Sequence, residues 1–543
     1  MLFRSGDTYT VTVTATADGA VRLAPSSSFS FLDIAGNAQT SAGGTDRSVT
    51  YDTIAPALTI AQAAGQADPT NVATIRFTLT GNEDIDPATV TAADFTVVNG
   101  AAPTITGSGR TLTVTTVAAA EGAVSITVSS DFSVSDIAGN ATDGATVLAD
   151  TSVVYDRDVT YDVTAPTVTL EQAADQADPA KGDTIRFTLS ANETLNVGTV
   201  SAADFTVANA TGLAVSGSGR TFSITATATA DGPVTIAPST GFSVGDMAGN
   251  ATTTAGGTDR TVTYDSTSAT VTLTQAADQG DPTKTDAIRF TFSSNEALQA
   301  GSVTASDFEA TNATGVTVTG SGDTYTVTVT ATNDGAVSLA PSSSFSVLDI
   351  AGNAQTSVGG TDRTVTYDTT SAVVTLTQAA GQADPAKSAT IRFTLSSNEN
   401  LQTGSVTAAD FAATNGTIAS VSGTGSAYTV TVTATGDGDV SLAPSTDFSV
   451  LDIPGNATTT AGGTDRSVVY DSTSAAVTLT QAAGQADPAN NASIAFTFSS
   501  DEALDAATVT ASDFAATNGT VASVTGAGST YTVTLTDRKS TRL

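Results

Sequence analysis

Five copies of a motif of the form Asp-x-x-Gly-Asn recur along the 543-residue sequence, and each places a carboxylate at the same point of a repeated unit. A carboxylate repeated in this way can hold a hard cation such as Ca²⁺, which prefers oxygen ligands. The sequence contains no His and no Cys, so imidazole and thiolate ligands are excluded. The residues that end the motifs are spaced by 103, 110, 103 and 103 positions: Asn37, Asn140, Asn250, Asn353 and Asn456.

Three further acidic positions recur with the same period. A Glu follows an Asn (or, once, Asp501) where no turn requires it, an Asp ends each Tyr-Asp pair, and an Asp precedes Pro in Ala-Asp-Pro or Gly-Asp-Pro. An Asp before Pro also forms turns, which is the competing interpretation for that last position. The predicted Ca²⁺ ligands are Asp52, Asp68, Glu83, Asp136, Asp162, Asp178, Glu193, Asp246, Asp265, Asp281, Glu296, Asp349, Asp368, Asp384, Glu399, Asp452, Asp471 and Glu502.

The fifth motif copy separates the turn-forming residues from the carboxylate. Pro454 replaces the Ala of the other copies and precedes Gly455. Because Pro fixes φ near −65° and Gly accepts a positive φ, this pair predicts a type II turn with Pro454 and Gly455 at its centre. The Gly and Asn then serve the turn, and the Asp is left to point elsewhere. The alternative for this Asp is an Asx turn.

The elements that must position these carboxylates are β-strands. In the run from Thr184 to Ser190, Ile185, Phe187 and Leu189 alternate with polar residues, which is the pattern of a half-buried strand. About seven such runs in each 100 residues predict an antiparallel, Ig-like β-sandwich. No helix of normal length is predicted. A hydroxyl residue three positions before an Asp, as in Ser201 and Asp204, predicts a capping box.

The period divides the sequence into six segments, which we name repeats 1 to 6. Repeat 1 (1–53) matches the C-terminal half of a unit, and repeat 6 (473–543) matches an N-terminal part with an atypical tail, 537–543. These partial units predict that the sequence is a fragment of a longer protein. A complete unit is large enough to bury its own core, and the linkers are short. The complete units are repeat 2 (54–163), repeat 3 (164–266), repeat 4 (267–369) and repeat 5 (370–472).

Strand alternation predicts which loops share an end of a sandwich. The Asn-Glu segment and the Asp-x-x-Gly-Asn motif fall at the incoming end, and the Asp-Pro loop and the Tyr-Asp pair fall at the outgoing end. One joint would then gather four carboxylates, those of Asp178, Asp265, Glu296 and Asp349. Like charges 4 Å apart repel by about 1 kcal/mol even in water. Since no Lys or Arg recurs beside these loops, the cluster predicts a cation, and its flexible coordination favours Ca²⁺ over Mg²⁺.

The charge balance excludes several classes of function. The sequence has 54 acidic and 19 basic residues, a formal charge of −35, which opposes binding to nucleic acid and to anionic membranes. No apolar run is long enough for a transmembrane helix, so direct membrane insertion is not expected. Without His, Cys or a phosphate-binding loop, neither a nucleophilic triad nor a nucleotide site is predicted, and the chain is not expected to be an enzyme.

The fixed order of several motifs resembles that of the bacterial Ig-like repeats of large surface adhesins of the RTX type. These motifs are Ile-Arg-Phe-Thr, Ser-Asn-Glu, Ala-Asp-Phe, Tyr-Thr-Val-Thr-Val, Asp-x-Ala-Gly-Asn and Tyr-Asp-x-Thr-Ala-Pro, and the resemblance covers all but the last seven residues. It implies an extracellular or cell-surface rod with Ca²⁺ at the domain joints. The joint at 162–166 matches the family pattern fully, whereas the later joints lack its Pro.

These observations predict tandem Ig-like domains that form an extended rod, an extender segment of a bacterial cell-surface or secreted adhesin stiffened by Ca²⁺. Its expected partners are the neighbouring repeats of the same chain and an unidentified distal ligand or host surface. The alternative is a set of glycan- or protein-binding Ig-like modules of a secreted or phage structural protein. Glycan binding would need exposed aromatic platforms, and the sequence has no Trp and only 6% aromatic residues.

Overall fold

The computed structural model describes residues 3–5, 8–143 and 156–537. Across these residues the regular elements are β-strands and single 3₁₀ turns, with no α-helix. The chain divides into two compact units. Unit 1 contains Met1–Ser268 and Leu348–Ala354, and unit 2 contains Ala269–Val347 and Gln355–Leu543.

Unit 1 contains the strands of repeats 1 to 3. Those of repeat 1 are Phe3–Ser5, Thr8–Thr10, Gly19–Arg22, Phe31–Leu32, Ala38–Gln39 and Ser48–Tyr51. Those of repeat 2 are Leu58–Gln62, Thr74–Ile85, Phe95–Val98, Thr104–Val117, Gly122–Val128, Ser133–Ser135, Ala141–Asp143 and Asp158–Tyr161, with 3₁₀ turns at Pro87–Thr89 and Ala92–Asp94. Those of repeat 3 are Val168–Gln172, Thr184–Leu195, Phe205–Ala208, Ala210–Ala228, Gly232–Pro238, Val244–Gly245, Ala251–Thr252 and Thr261–Tyr264, with 3₁₀ turns at Val197–Thr199 and Ala202–Asp204.

Repeat 3 shows how a complete repeat is built from two antiparallel sheets. The first sheet has the order Val168–Gln172, Thr184–Leu195, Ala210–Ala228. The second has the order Phe205–Ala208, Gly232–Pro238, Thr261–Tyr264. A small hairpin, Val244–Gly245 with Ala251–Thr252, carries the Asp-x-x-Gly-Asn motif at its tip.

The core of repeat 3 lies between these two sheets. Ile185, Phe187 and Leu189 are fully buried, as the alternation in the sequence predicts. They pack with Val234 and Val262 of the second sheet in one apolar cluster. Full burial of each such side chain contributes about 1.5–3 kcal/mol, so the alternation fixes which face of the strand turns inward.

Unit 2 contains the strands of repeats 4 to 6, apart from residues 348–354. Those of repeat 4 are Val271–Gln275, Ala287–Ser294, Phe308–Thr311, Ala313–Ser321, Thr324–Ala331, Gly335–Pro341, Val347–Leu348, Ala354–Gln355 and Thr364–Tyr367, with a 3₁₀ turn at Ala305–Asp307. Those of repeat 5 are Val374–Gln378, Thr390–Ser397, Phe411–Thr414, Gly416–Thr424, Ala427–Ala434, Gly438–Pro444, Val450–Leu451, Ala457–Thr458, Ala461–Gly462 and Ser467–Tyr470, with a 3₁₀ turn at Ala408–Asp410. Those of repeat 6 are Val477–Gln481, Ser493–Ser500, Gly519–Ala527 and Thr530–Asp537, with a 3₁₀ turn at Ala511–Asp513.

Repeats 4 and 5 each have a buried apolar cluster of their own, built from the same positions as in repeat 3. Repeat 6 forms a single four-stranded sheet, and its Val477 and Leu479 are half exposed. Of its predicted atypical tail, Asp537 ends the last strand, and 538–543 lie outside the described residues. The described chain is therefore all-β, and its complete repeats are antiparallel Ig-like β-sandwiches, as predicted.

The predicted capping boxes are also confirmed. In repeat 3 the backbone N–H and the hydroxyl of Ser201 both donate to Asp204, at 2.7 and 2.9 Å. Thr407 and Asp410 repeat this arrangement in repeat 5. These aspartates are buried, and their carboxylates cap a 3₁₀ turn. They are therefore distinct from the carboxylates of the candidate metal centres.

Candidate metal centres

Carboxylates from consecutive repeats come together in groups of three. In each group, one carboxylate oxygen of every residue lies within 4.8 Å of the others. We name the groups after the repeat that supplies the Glu and the motif Asp. They are the repeat 2 trio (Asp52, Glu83, Asp136), the repeat 3 trio (Asp162, Glu193, Asp246) and the repeat 5 trio (Asp368, Glu399, Asp452).

One predicted joint has ligands in both units. Asp265 and Asp349 belong to unit 1, and Glu296 belongs to unit 2. Within unit 1, the side-chain amide of Asn353 donates to the backbone carbonyl of Asp265 at 2.8 Å. A metal site at this joint stays a prediction.

The turn of the motif fixes the Asp of each trio. In repeat 5 the backbone N–H of Gly455 donates to the carbonyl of Asp452 at 3.1 Å, so Ile453 and Pro454 are the central residues of the turn. The predicted type II turn is therefore displaced by one residue. Gly455 follows the turn with a φ of +92°, a conformation that suits Gly. Oδ1 of Asp452 accepts the backbone N–H groups of Gly455 and Asn456, at 2.8 and 2.6 Å.

The Asn of the motif connects its turn to the preceding repeat. In repeat 5 the Asn456 side-chain amide donates to the backbone carbonyl of Asp368 at 2.9 Å. Asn250 makes the same bond to Asp162 at 2.8 Å in unit 1. The sequence pattern predicted only a turn-forming role for this Asn, and its contact across the joint was not predicted.

In the complete repeats, the Asp of the Tyr-Asp pair is held beside the Asp-Pro loop of its own repeat. The backbone N–H of Asp162 donates to the carbonyl of Thr70 at 3.0 Å, and that of Asp368 donates to the carbonyl of Thr283 at 2.9 Å. The outgoing end thus brings the Tyr-Asp pair and the Asp-Pro loop together, in agreement with the strand count.

The Asp of the Asp-Pro loop lies outside the trios. Oδ1 of Asp178 accepts the backbone N–H of Thr263 at 2.9 Å, which ties the loop to the last strand of the repeat. The same bond, also at 2.9 Å, is made by Asp68, Asp281 and Asp384. This geometry gives no support to the predicted ligand role of these four residues, because it assigns their carboxylates to a loop contact.

The Glu of each trio has a raised pKa. Burial is the largest cause for Glu399, followed by the charges of Asp368 and Asp452. Burial and the Asp neighbours likewise raise the pKa of Glu193 and Glu83 in unit 1. A carboxyl group that resists ionisation here indicates that the three negative charges lack sufficient compensation in the protein alone.

Two of the trios do have a basic neighbour, contrary to the prediction that no Lys or Arg lies beside these loops. Arg220 opposes the rise in the pKa of Glu193, and Arg110 does the same for Glu83. In these repeats the Glu lies within a long strand, Thr184–Leu195 or Thr74–Ile85. In repeat 5 the strand ends at Ser397, before Glu399, so the local backbone differs as well.

The second oxygen of the motif Asp distinguishes the trios further. Asp246 Oδ2 accepts the side-chain amide of Asn250 at 2.9 Å, and Asp136 Oδ2 accepts that of Asn140 at 2.8 Å. Asp452 is fully buried, and its Oδ2 has no hydrogen-bond partner. A buried polar atom left unsatisfied costs about 1–3 kcal/mol, more when charged, so this oxygen lacks a partner that a cation could supply.

At the last joint the structure pairs Asp471 with Glu502. The pKa of Glu502 is raised, first by burial and then by the charge of Asp471 and a hydrogen bond between the two side chains. Asp501, which stands where other repeats have Asn, also contributes. Oδ1 of Asp501 accepts the backbone N–H of Ala476 at 2.8 Å. In repeat 5, Oδ1 of Asn398 accepts the backbone N–H of Val373 in the same way.

Further acidic residues, which were not among the predicted site residues, anchor the linkers. Hydrogen bonds from Thr473 and Ser472 lower the pKa of Asp437. Ser472 donates its hydroxyl to this Asp at 2.7 Å and its backbone N–H at 2.8 Å. Asp231 and Asp334 hold their linkers in the same way. The available signal was an Asp before Gly, which lies 35 positions before a linker hydroxyl in repeats 3, 4 and 5.

Comparisons with known proteins give no family. No protein-family model matches the sequence, and no curated protein matches it either. Among solved structures, invasin, described as a bacterial integrin-binding protein, has 14% identity and a TM-score of 0.30, with 78% of this chain and 82% of invasin covered.

Two further solved structures show weaker similarity. The I9–I11 tandem of titin has 9% identity and a TM-score of 0.19, covering 52% of this chain and 95% of its own. The adhesin InvE of Yersinia pseudotuberculosis has 17% identity and a TM-score of 0.17, covering 44% and 70%. At these values the similarities carry no argument about function, and the fold class rests on the strands themselves. In the part of the chain that the structure describes, no helix is long and apolar enough to cross a membrane.

Proposed function

We propose that the chain is an extender segment of a bacterial cell-surface or secreted adhesin, and that Ca²⁺ bound by the trios stiffens its joints. The observation that carries the calcium site is the repeat 5 trio, with three carboxylates within 4.8 Å and a buried Asp452 oxygen without a partner. The extender role is supported by the succession of similar sandwiches and by the resemblance of their motifs to adhesin repeats.

The size of the trios fits one Ca²⁺ ion. Oxygen ligands lie 2.3–2.6 Å from Ca²⁺, so two ligands on opposite sides of one ion are about 4.6–5.2 Å apart. The 4.8 Å span of each trio is within that limit. Three carboxylates supply up to six oxygens, and water or backbone carbonyls complete the six to eight ligands that Ca²⁺ takes. Mg²⁺ demands shorter bonds and a stricter octahedron, so this open arrangement favours Ca²⁺.

The origin of the ligands gives the ion a mechanical role. In unit 1, Asp162 comes from repeat 2, whereas Glu193 and Asp246 come from repeat 3. An ion bound there links the two repeats, and without it the three carboxylates repel one another. Extracellular modules bind Ca²⁺ with dissociation constants of roughly 10⁻⁴–10⁻³ M, so millimolar external calcium would fill such sites. This requirement supports an extracellular or cell-surface location.

The test is to compare the full chain in 5 mM CaCl₂ and in EGTA, with 5 mM MgCl₂ as the control. We expect calcium to raise the melting temperature and to lengthen the maximum dimension seen by small-angle X-ray scattering, because the joints stop bending. If calcium changes neither quantity, the proposal of calcium-stiffened joints is wrong.

The extender role is tested separately from the calcium site. An extender holds a distal binding domain away from the cell and needs no ligand of its own, so we expect the full chain to bind nothing on a glycan array in the presence of calcium. Saturable binding to a defined glycan would overturn the extender role in favour of the binding-module alternative, whatever the calcium result.

A further inference from the structure

A lysine of one repeat contacts the motif turn of the next. In unit 2, Nζ of Lys284, which follows the Asp-Pro loop of repeat 4, donates to the backbone carbonyl of Gly455 at 2.6 Å. In unit 1, Lys181 makes the same bond to Gly352 at 3.0 Å. Repeat 2 has Asn71 at this position, and Asn71 contacts the next turn through its backbone N–H, which donates to Ala248 at 3.2 Å.

Lys284 binds the carbonyl of the Gly455–Asn456 peptide group. The N–H of the same peptide group binds the carboxylate of Asp452, a member of the repeat 5 trio. Gly455 C=O and Asn456 N–H are the two ends of one planar peptide. That N–H donates to Oδ1 of Asp452 at 2.6 Å. An ammonium group on the carbonyl polarises the peptide and strengthens the N–H as a donor, so the chain from Lys284 to Asp452 is cooperative.

The presence of this lysine coincides with whether Oδ2 of the motif Asp has a hydrogen-bond partner. Where a lysine binds the turn, Oδ2 of the motif Asp has no hydrogen-bond partner, as in Asp349 and Asp452. In repeat 3, where Asn71 takes the place of the lysine, Asn250 donates its side-chain amide to Oδ2 of Asp246.

We propose that Lys284 is a positioning residue for the cation site of repeat 5. The lysine fixes the Gly-Asn peptide, the Asn amide turns to the preceding repeat alone, and Oδ2 stays available for the ion. This inference rests on the proposed calcium site. It adds that a residue outside the carboxylate set, contributed across the joint, decides how tightly the repeat 5 trio binds calcium.

The natural joints differ in a second feature besides the lysine, so a comparison between them cannot isolate the effect of the lysine. The repeat 3 trio has Arg220 near Glu193 as well as lacking the lysine. Single substitutions in the full chain separate the two features. The sequence supplies a matched control, Lys387, which occupies the same position after the Asp-Pro loop of repeat 5 and makes no side-chain hydrogen bond to any described residue.

The experiment is a calorimetric titration of the full chain with CaCl₂. We expect Lys284→Met to weaken one calcium site about 10-fold, the effect usual for residues that orient metal ligands from outside the ligand set. Lys387→Met should bind as the wild type does. Lys284→Arg keeps a donor and a positive charge at this place and should restore most of the affinity.

Asp452→Asn distinguishes a failure of this inference from a failure of the proposed function. If Asp452→Asn leaves calcium binding unchanged, the calcium site itself is absent. If Asp452→Asn removes one site but Lys284→Met binds calcium as tightly as the wild type, or more tightly, the positioning role is overturned. In the Asp452→Asn background, Lys284→Met should have no further effect.

A converse variant covers the case in which Lys284→Met disturbs the fold, which a lower melting temperature in EGTA would show. Asn71→Lys introduces the lysine before the repeat 3 trio, and we expect it to tighten one calcium site several-fold. Asn71→Gln is its control and should leave the affinity unchanged. An Asn71→Lys chain that melts normally but binds no more tightly would contradict the positioning role.

Discussion

The repeat 3 and repeat 5 trios have the same residue types at the same repeat positions. They differ in the hydrogen-bond partners of their carboxylates and in the positive charge nearby. In the repeat 3 trio, Oδ2 of Asp246 is occupied by the Asn250 amide, and Arg220 offsets the charge near Glu193. In the repeat 5 trio, Oδ2 of Asp452 is buried without a partner, and Ser426 stands where repeat 3 has Arg220.

The difference teaches that the motif alone does not determine a site. Its Asp, Gly and Asn build the same turn in both repeats, but the oxygens left for an ion depend on a lysine from the preceding repeat and on a hairpin residue. The joints of one chain are therefore expected to form a graded series in calcium affinity, with the repeat 5 trio tighter than the repeat 3 trio.

Removal of the motif carboxylate should cause the largest change in the stabilisation that calcium gives to the two trios. With a dissociation constant of 10⁻⁴–10⁻³ M, 10 mM Ca²⁺ stabilises a site by about 1.4–2.7 kcal/mol. Asp452→Asn should abolish that gain for its site in scanning calorimetry. Asp246→Asn should remove less, because its site is weaker. Equal losses from the two variants would contradict the graded series.

In the absence of calcium, protons should stabilise the trios. The pKa of Glu193 and Glu399 is raised in the fold, first by burial. Their favourable contribution is therefore complete below the ordinary Glu pKa of about 4.5, and it is lost as the pH rises through the raised value. In EGTA, the melting temperature of the wild type should fall relative to that of the Glu193→Gln/Glu399→Gln variant between pH 4 and 7.

One outcome would contradict the pH prediction. If the double variant and the wild type in EGTA keep a constant difference in melting temperature over that range, the glutamates do not titrate with raised pKa values. In calcium the sign should reverse, because the ion binds the ionised carboxylates and displaces protons. The wild type should then gain on the variant as the pH rises.

Introduction of the hairpin arginine into repeat 5 should have a smaller effect. Ser426→Arg places a guanidinium where repeat 3 has Arg220, so it competes with Ca²⁺ for Glu399. We expect about a 3-fold loss of calcium affinity, or roughly 0.7 kcal/mol, since a partly solvated charge is screened. Ser426→Gln is the control. The loss should shrink in 0.5 M KCl, and a loss independent of salt would indicate a steric cause.

An ion pair outside the trios should have the smallest effect. Arg289 and Asp278 are 2.8 Å apart, but their side chains are 47% and 69% exposed. Exposed pairs contribute about 0–1 kcal/mol, so Asp278→Asn should shift the free energy of unfolding by less than that and leave the calcium response unchanged. A change in calcium affinity would show that general charge, rather than the trios, controls the response.

Much of the fold could be predicted from the sequence because its signals are local and repeated. Alternation in the run from Thr184 to Ser190 identified the buried face, and the hydroxyl-to-Asp spacing identified the capping boxes. The turn at Pro454 was predicted one residue late, since the Asp452 side chain caps the Gly455 N–H and moves the positive φ beyond the turn. A propensity argument does not include that hydrogen bond.

The candidate site was only partly predictable because it depends on contacts between repeats. Strand counting brought the Tyr-Asp, Asn-Glu and motif carboxylates together, as the described trios do. It also included the Asp-Pro carboxylates, which instead accept a backbone N–H of the last strand. Lys284 was overlooked because its partner is a backbone carbonyl 171 positions away, which leaves no mark on the side-chain pattern.

The central claim is that a trio binds one calcium ion, and the most direct measurement is the number of ions bound per full chain. Equilibrium dialysis at saturating Ca²⁺, with calcium and protein quantified independently, gives this number for the wild type and for the Asp368→Asn/Glu399→Gln/Asp452→Asn variant. We predict one ion fewer for the variant, with its far-ultraviolet circular dichroism unchanged. A wild type that binds no calcium, or a folded variant that binds as many ions as the wild type, would contradict the account.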